Sequence, residues 1–161
     1  MKVLYEDNHI IVVEKEPNIP SQADKTGDID MLTMVKQYIK EKYKKPGEVY
    51  IGLVHRLDRP VGGIMVFART SKAASRLSEQ IRNKTFKKKY LAVVDGKFAN
   101  PKGSLEDYLY KDERNNISKV VNKDKKNAKL AKLDYEVLNY DDKRDLSLVK
   151  IDLHTRKTSS N

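Results

Sequence analysis

Apolar positions in the first quarter of the chain alternate at first and then take up helical spacing. Residues 3–5 and 10–13 are rich in β-forming side chains and flank the turn-like sequence EDNH, which predicts a β-hairpin. Pro17 and Pro20 end this hairpin, and QADKTGD is typical of a loop. A helix is predicted from Asp30 until KKPGE ends the pattern. Its spaced positions are Met31, Val35, Tyr38, Ile39 and Lys42.

The remaining pattern predicts strands with one further helix. After a short apolar run at 49–54, GIMVFART has the pattern of a strand, and Thr70 or Ser71 then caps a helix. The apolar stripe of that helix consists of Ala74, Leu77 and Ile81. Two more strands are predicted at KKKYLAVVDG and SLEDYLYKD, and residues 111–128 are predicted to form a polar loop. A hairpin around DDKRD is predicted from AKLDYEVLNY and LSLVKIDLHT. The predicted fold class is α+β (mixed α/β), with a largely antiparallel mixed sheet flanked by helices.

Composition narrows the classes of protein to consider. The 161 residues suit one domain, and the net charge of +10 favours an anionic partner such as nucleic acid, although a lysine-rich genome would give the same balance. With no cysteine, disulfides, zinc–thiolate sites and thiol catalysis are excluded. The sequence predicts neither a membrane helix nor a signal peptide, so we expect a cytoplasmic protein.

The segment VHRLDRPVGGIMVFART, residues 54–70, places one carboxylate between two arginines ahead of a tight turn. Arg56 and Arg59 favour the ionised form of Asp58. Pro60 restricts the backbone and the Gly-Gly pair after Val61 allows a close approach, so the carboxylate lies in a constrained loop before a strand. Such an aspartate can be a nucleophile, a general base or a helix cap, while the guanidinium groups disfavour a metal. An Arg–Asp pair that only holds the loop is the structural alternative.

The histidines do not group into a site by sequence. His55 is flanked by apolar residues and is either a hydrogen-bonded structural histidine or a general base. His9 and His154 lie far away along the chain, and there is no phosphate loop or GxGxxG motif. We therefore expect no metal.

A second constellation, NKTFKKKYLAVV at residues 83–94, interleaves four lysines with Phe86 and Tyr90. Basic and aromatic side chains together suit a nucleic-acid groove, in which the charges contact phosphates and the rings stack on bases. An ordinary edge strand defended by lysines would have the same composition. Both interpretations remain open on this pattern alone.

Taken together, residues 55–96 resemble the RNA pseudouridine synthases of the RluA type, in the RluA/RsuA superfamily. The family signature is HRLD, a small-residue turn, a hydrophobic strand, a helix with alanines and K-x-Y-x-A-x-V-x-G. All of these parts occur in order between His55 and Gly96. The opening VLYEDNHIIVVEKEPNIPSQ also resembles the first hairpin of the family, so the resemblance extends over most of the chain.

The resemblance implies a single catalytic domain over residues 1–161 without a separate N-terminal RNA-binding domain. It implies isomerisation of uridine to pseudouridine in structured rRNA or tRNA, with a flipped base and no cofactor or metal. Asp58 would be the catalytic carboxylate, Arg56 would act at the RNA backbone or fill the gap left by the flipped base, and Tyr90 would stack on the uracil. Further RNA contacts are expected from Arg59, Lys87, Lys88 and Lys89. We expect a monomer. The alternatives are an RNA-binding remnant without catalysis, or a structural fragment whose charge is incidental.

The last residues depart from the family pattern. SLVKIDLHT resembles the strand that leads into T-G-R-x-H-Q-I-R, but this chain continues HTRKTSSN, in which only Arg156-Lys157 echoes the motif's first arginine. In the family, the last arginine of that motif pairs with the catalytic carboxylate. We therefore expect a catalytic domain that lacks its C-terminal part, with an exposed sheet edge at residues 146–153. Poor folding, aggregation and weak or absent activity would follow.

Overall fold

The structure, a computed structural model, describes residues 1–154. The predicted echo at Arg156-Lys157 lies outside the described residues. Two helices and two antiparallel sheets make up the described part, so the α+β class is confirmed. The chain divides into two compact units, one from Met1 to Phe86 and one from Lys87 onward, and the single catalytic domain stays a prediction. Neither helix within residues 1–154 is long and apolar enough to cross a membrane.

The first unit is a four-stranded antiparallel sheet with two helices. The predicted N-terminal hairpin and both predicted helices are present, and the strand order is β1-β2-β4-β3. In chain order the elements are β1 Lys2–Glu6, β2 Ile10–Lys15, α1 Met31–Lys42, β3 Gly52–Leu53, β4 Gly63–Ala68 and α2 Ser71–Arg82.

The core of the first unit lies between the sheet and α1. Alternation along β2 turns Ile11 and Val13 to the same face, where both are fully buried. Helix α1 covers that face with residues one turn apart, as its sequence pattern predicts. The buried set is Ile11, Val13, Met31, Val35, Ile39, Ile51, Met65 and Phe67. Each such side chain contributes roughly 1.5–3 kcal/mol by its removal from water.

Both helices begin at a side-chain cap. The carboxylate of Asp30 accepts a hydrogen bond from the Thr33 amide, and the hydroxyl of Thr70 accepts one from the Ala73 amide at 3.1 Å. The buried alanine of α2 is Ala73, whereas the predicted stripe contained Ala74. Ala74 packs instead against edge strand β3, where a Cβ at Gly52 would lie 3.0 Å from its side chain.

The second unit is a five-stranded antiparallel sheet in the order β5-β9-β8-β6-β7. The hairpin around DDKRD is confirmed. In chain order the strands are β5 Lys89–Asp95, β6 Lys102–Asp112, β7 Ile117–Val121, β8 Lys129–Asp141 and β9 Leu146–Leu153.

Two expectations for the second unit are wrong. Residues 111–128 are not a continuous loop, because β6 extends to Asp112 and β7 pairs back onto it after the turn that contains Asn116 in a left-handed conformation. The exposed edge expected at 146–153 is also absent, since β9 lies between β5 and β8 and pairs with both. The outer strands of the described sheet are β5 and β7.

Candidate active site

Asp58 lies on the loop that joins β3 to β4 in the first unit. The Val61 amide donates a 2.9 Å hydrogen bond to the Asp58 carbonyl and closes a tight turn. Gly62 follows in close contact with Pro17, and a Cβ at Gly62 would lie 3.0 Å from the Pro17 ring. The close backbone approach predicted from the sequence is therefore present at Gly62, and the turn leaves Asp58 exposed.

A buried lysine forms hydrogen bonds with the backbone of this turn. Lys15 is only 1% exposed, and its ammonium group donates to the carbonyl oxygens of Glu16 at 3.2 Å, Arg59 at 3.0 Å and Val61. Three carbonyl acceptors saturate the three donors of an ammonium group. Sequence reasoning missed Lys15, although it continues the inward alternation of Ile11 and Val13 along β2.

A buried serine fixes the residue immediately before Asp58. Ser21 is 5% exposed, and its hydroxyl accepts a 3.0 Å hydrogen bond from the Leu57 amide and donates a 2.7 Å bond to the Leu57 carbonyl. The Asn18 amide donates to the Arg59 carbonyl at 2.7 Å. The backbone is thus hydrogen-bonded on both sides of Asp58. No local pattern in the sequence marks Ser21, because its partner is 36 residues away.

Arg59 contacts a different set of carboxylates from the one expected. Its guanidinium forms ion pairs with Asp24, at 3.4 Å, and with Asp28, both in the loop after β2. The hydrogen bond from Arg59 lowers the pKa of Asp28. The DKTGD sequence supplies these two carboxylates, so the ion pairs given for Arg59 connect two loops.

The buried charge of Lys15 interacts electrostatically with Asp58. Burial lowers the pKa of Lys15, the positive charge of Arg59 adds to this, and the negative charge of Asp58 opposes it. Within residues 1–154, no hydrogen bond or ion pair involves the Asp58 carboxylate, which is open to a ligand. No group of three histidine or acidic side chains in the described residues could hold a metal ion.

His55 and Arg56 share the loop with Asp58. The Val66 amide donates a 3.0 Å hydrogen bond to Nε2 of His55, and the His55 ring packs at 5.6 Å from that of Phe86. Because Nε2 is an acceptor, the ring proton lies on Nδ1. This favours the structural interpretation of His55. Arg56 is exposed.

The other predicted site residues lie in the second unit. Tyr90 is half-buried on β5, opposite Ile151 of β9. Lys89 is exposed on the same strand opposite Asp152, while Lys87 and Lys88 precede the strand. The sequence therefore predicted correctly that Tyr90 lies on a strand behind a basic run.

The order of elements around Asp58 agrees with a known family. The family described as RNA pseudouridylate synthase matches residues 9–160, which is nearly the whole chain. The chain belongs to the RNA pseudouridylate synthase family. Its relatives include ribosomal large subunit pseudouridine synthases C and D, which confirms the resemblance to the RluA type.

Two relatives illustrate the extent of the match. The chain is 29% identical over 159 residues to the uncharacterized RNA pseudouridine synthase YhcT of Bacillus subtilis, covering 98% of this chain and 51% of YhcT. It is 31% identical over 125 residues to ribosomal large subunit pseudouridine synthase C of Buchnera aphidicola subsp. Acyrthosiphon pisum, covering 78% of this chain and 38% of that protein. The chain spans about half the length, or less, of these curated relatives.

A solved structure supports the fold. Human RNA pseudouridylate synthase domain containing 4 matches with a TM-score of 0.78 at 21% identity, covering 98% of this chain and 60% of that chain. At this identity the match shows the pseudouridine synthase fold.

Proposed function

We propose that the protein isomerises uridine to pseudouridine in RNA and that Asp58 supplies the catalytic carboxylate. The observation that supports this most directly is the geometry of the HRLD loop in a member of the family. Lys15 and Ser21 hold the backbone around Asp58, while the carboxylate itself is exposed. A reactive group on a rigid, outward-facing loop suits a substrate that must enter from solvent.

The chemistry needs no redox step. The bond between N1 of uracil and C1′ of ribose breaks, the uracil turns while it is held, and a bond forms between C5 and C1′. The hydrogen on C5 leaves as a proton and N1 takes up a proton, so atoms and electrons balance without a co-reactant. Asp58 attacks either the sugar or the base to open this route. The target must first leave its base stack to reach such a carboxylate.

The remaining predicted residues have supporting roles. Arg56, exposed in the same loop, contacts the RNA backbone or occupies the place that the flipped base vacates. Tyr90 stacks on the uracil. The three lysines that directly precede Tyr90 in sequence contact phosphates of the RNA; these are Lys87, Lys88 and Lys89. These assignments follow the family motif. Arg59 can contact RNA only if its guanidinium group is accessible while it pairs with Asp24 and Asp28. The side chain of Arg59 is half-exposed in that position, which meets this condition.

Ribosomal RNA is the first substrate to test. Two relatives are named ribosomal large subunit pseudouridine synthases, and the net charge of +10 suits a polyanion. Transfer RNA is the second, because the sequence does not distinguish them.

Release of tritium from RNA that carries 5-tritiated uridine tests the proposal, since bond formation at C5 must expel that hydrogen. The native chain is compared with Asp58→Asn, which keeps the size of the side chain, and with Asp95→Asn, an exposed aspartate at the end of β5. We expect release by the native chain and Asp95→Asn and none by Asp58→Asn. Folded native protein that binds both RNAs without releasing tritium would instead support an RNA-binding protein without catalysis.

A further inference from the structure

The second unit carries a dense run of lysines in the segment from β7 to the start of β8, which the family motifs do not include. Between residues 117 and 129 the chain carries five lysines and a single acidic residue, Asp124. The turn of the β8–β9 hairpin, DDKRD at 141–145, carries three acidic and two basic residues and an internal ion pair between Arg144 and Asp141. A general enrichment in lysine would load both connections alike, so the excess belongs to the segment between β7 and β8.

The loop between β7 and β8, residues 122–128, is here named the lysine loop. Two successive backbone hydrogen bonds order it: the Lys125 amide donates to the Asn122 carbonyl and the Ala128 amide to the Lys125 carbonyl, each at 3.0 Å. Lys123, Lys125 and Lys126 are all exposed. Within residues 1–154 none of these three forms an ion pair with a carboxylate.

An aromatic ring lies next to two of these lysines. Tyr110 on β6 pairs with Lys119 on β7, so the two side chains lie next to each other on one face of the hairpin. The ammonium of Lys125 lies 5.1 Å from the centre of the Tyr110 ring. The face of the ring is therefore covered by an exposed lysine side chain. A planar ligand can take the place of that lysine while the lysine contacts an adjacent anion.

Protection of an edge strand does not explain the arrangement. β7 is an outer strand, and a lysine on it can discourage pairing with another sheet. Only Lys119 is on β7, however, and Lys123, Lys125 and Lys126 lie in the lysine loop, which has no strand edge to protect.

We propose that the lysine loop and the adjoining face of the β6–β7 hairpin form an RNA-binding surface. Lys119, Lys123, Lys125 and Lys126 contact successive phosphates, and Tyr110 stacks on one unpaired base. Phosphate contacts supply sequence-independent affinity, and an aromatic ring adds stacking that every base can satisfy. The inference rests on the proposed function in that the substrate is RNA, and it does not depend on catalysis by Asp58.

Fluorescence anisotropy with a labelled 20-nucleotide single-stranded RNA, titrated at several salt concentrations, tests the surface in the full chain. One variant carries Lys123→Gln, Lys125→Gln and Lys126→Gln. Its control carries Lys36→Gln, Lys40→Gln and Lys44→Gln, which removes the same charge from exposed positions in the first unit. We expect the first variant to bind more weakly and to reduce the slope of log K against log salt by roughly 2, and the control to leave the slope unchanged.

The ring is tested separately with Tyr110→Leu, which keeps an apolar side chain on the strand. We expect affinity to fall at least about five-fold with the salt slope unchanged. Circular dichroism and thermal melting of each variant establish that it is folded. Equal effects of the two triple variants, or native RNA affinity in the lysine-loop variant, would overturn the proposal.

The design separates this surface from the catalytic proposal. Asp58→Asn should bind RNA like the native chain and release no tritium, because its substitution lies outside the surface. If the native chain releases no tritium but the lysine-loop variant still weakens binding, the catalytic proposal fails and the surface stands. If tritium release depends on Asp58 and the lysine-loop variant binds normally, the surface fails and the catalytic proposal stands.

Discussion

The ammonium of Lys15 donates a 3.0 Å hydrogen bond to the carbonyl oxygen of Arg59, 44 residues further along the chain. The contact joins the end of the first hairpin to the loop that carries Asp58. Because Lys15 is buried and donates three such bonds, the loop is held by charge-assisted contacts that solvent does not compete for. The position of the candidate catalytic carboxylate therefore depends on a side chain outside the HRLD motif.

Replacing Lys15 with methionine keeps an unbranched apolar side chain, one atom shorter, and removes all three donors. The carbonyls of Arg59 and Val61 then lose a partner in the loop, and we expect the free energy of unfolding to fall by about 2–4 kcal/mol. Urea titration measures this. The matched control is Lys36→Met at an exposed position of α1, where we expect a change within about 0.5 kcal/mol. Equal effects of both substitutions would show that the Lys15 bonds contribute little.

Ser21→Ala removes the hydroxyl that bridges the amide and the carbonyl of Leu57. We expect faster hydrogen exchange at the Leu57 amide and turnover about ten- to a hundred-fold lower, because the Asp58 loop gains freedom. RNA affinity should change less than two-fold, since no RNA contact is removed. Ser78→Ala, at an exposed position of α2, is the control and should leave exchange and turnover unchanged. Native turnover in a Ser21→Ala chain with fast exchange at Leu57 would disprove a positioning role.

His55 is expected to be present as the tautomer protonated on Nδ1, because Nε2 accepts from the Val66 amide. Long-range nitrogen–proton NMR correlations of the ring distinguish the two tautomers directly. His55→Phe retains an aromatic ring near Phe86 but leaves the Val66 amide without this acceptor, so we expect a loss of about 1–3 kcal/mol in stability. His9→Phe, at an exposed position, should not reduce stability comparably.

Local patterns predicted the elements well and the loop network poorly. Alternation and helical spacing predicted the N-terminal hairpin, the hairpin around DDKRD and both helices, and Thr70 was one of two candidates for the cap of α2, because these features depend on residues close in sequence. Lys15 was overlooked because a lysine in an apolar series is normally exposed, and here its burial depends on the Glu16 carbonyl and on two carbonyls that are distant in sequence. Strand β7 was overlooked because the polar sequence around it resembles a loop until β6 provides a partner.

In the second unit, Gly103 has a steric role that a substitution can test. A Cβ at Gly103 would lie 2.6 Å from the hydroxyl and 2.8 Å from Cζ of Tyr135, its partner across β6 and β8. Gly103→Ala should therefore lower stability by about 1–3 kcal/mol through overpacking. In a Tyr135→Leu background the cost of the alanine should shrink, which a double-mutant cycle measures by urea unfolding. If Gly103→Ala lowered stability equally in both backgrounds, contact with Tyr135 would not be the cause of the loss.

The ion pair between Arg59 and Asp28 should make the loop after β2 sensitive to acid. The hydrogen bond from Arg59 holds the pKa of Asp28 below its ordinary value of 3.8. A carboxylate with a lowered pKa in the folded state contributes stability that is present above the ordinary pKa and is lost as the pH falls through the folded one. The difference in Tm between the native chain and Arg59→Gln should therefore be constant near neutral pH and shrink as the pH falls below about 4. Arg76→Gln, at an exposed position of α2, should show no such change with pH. A difference for Arg59→Gln that persists to pH values where carboxylates are protonated would mean that Arg59 stabilises the loop through its backbone or its packing and not through Asp28.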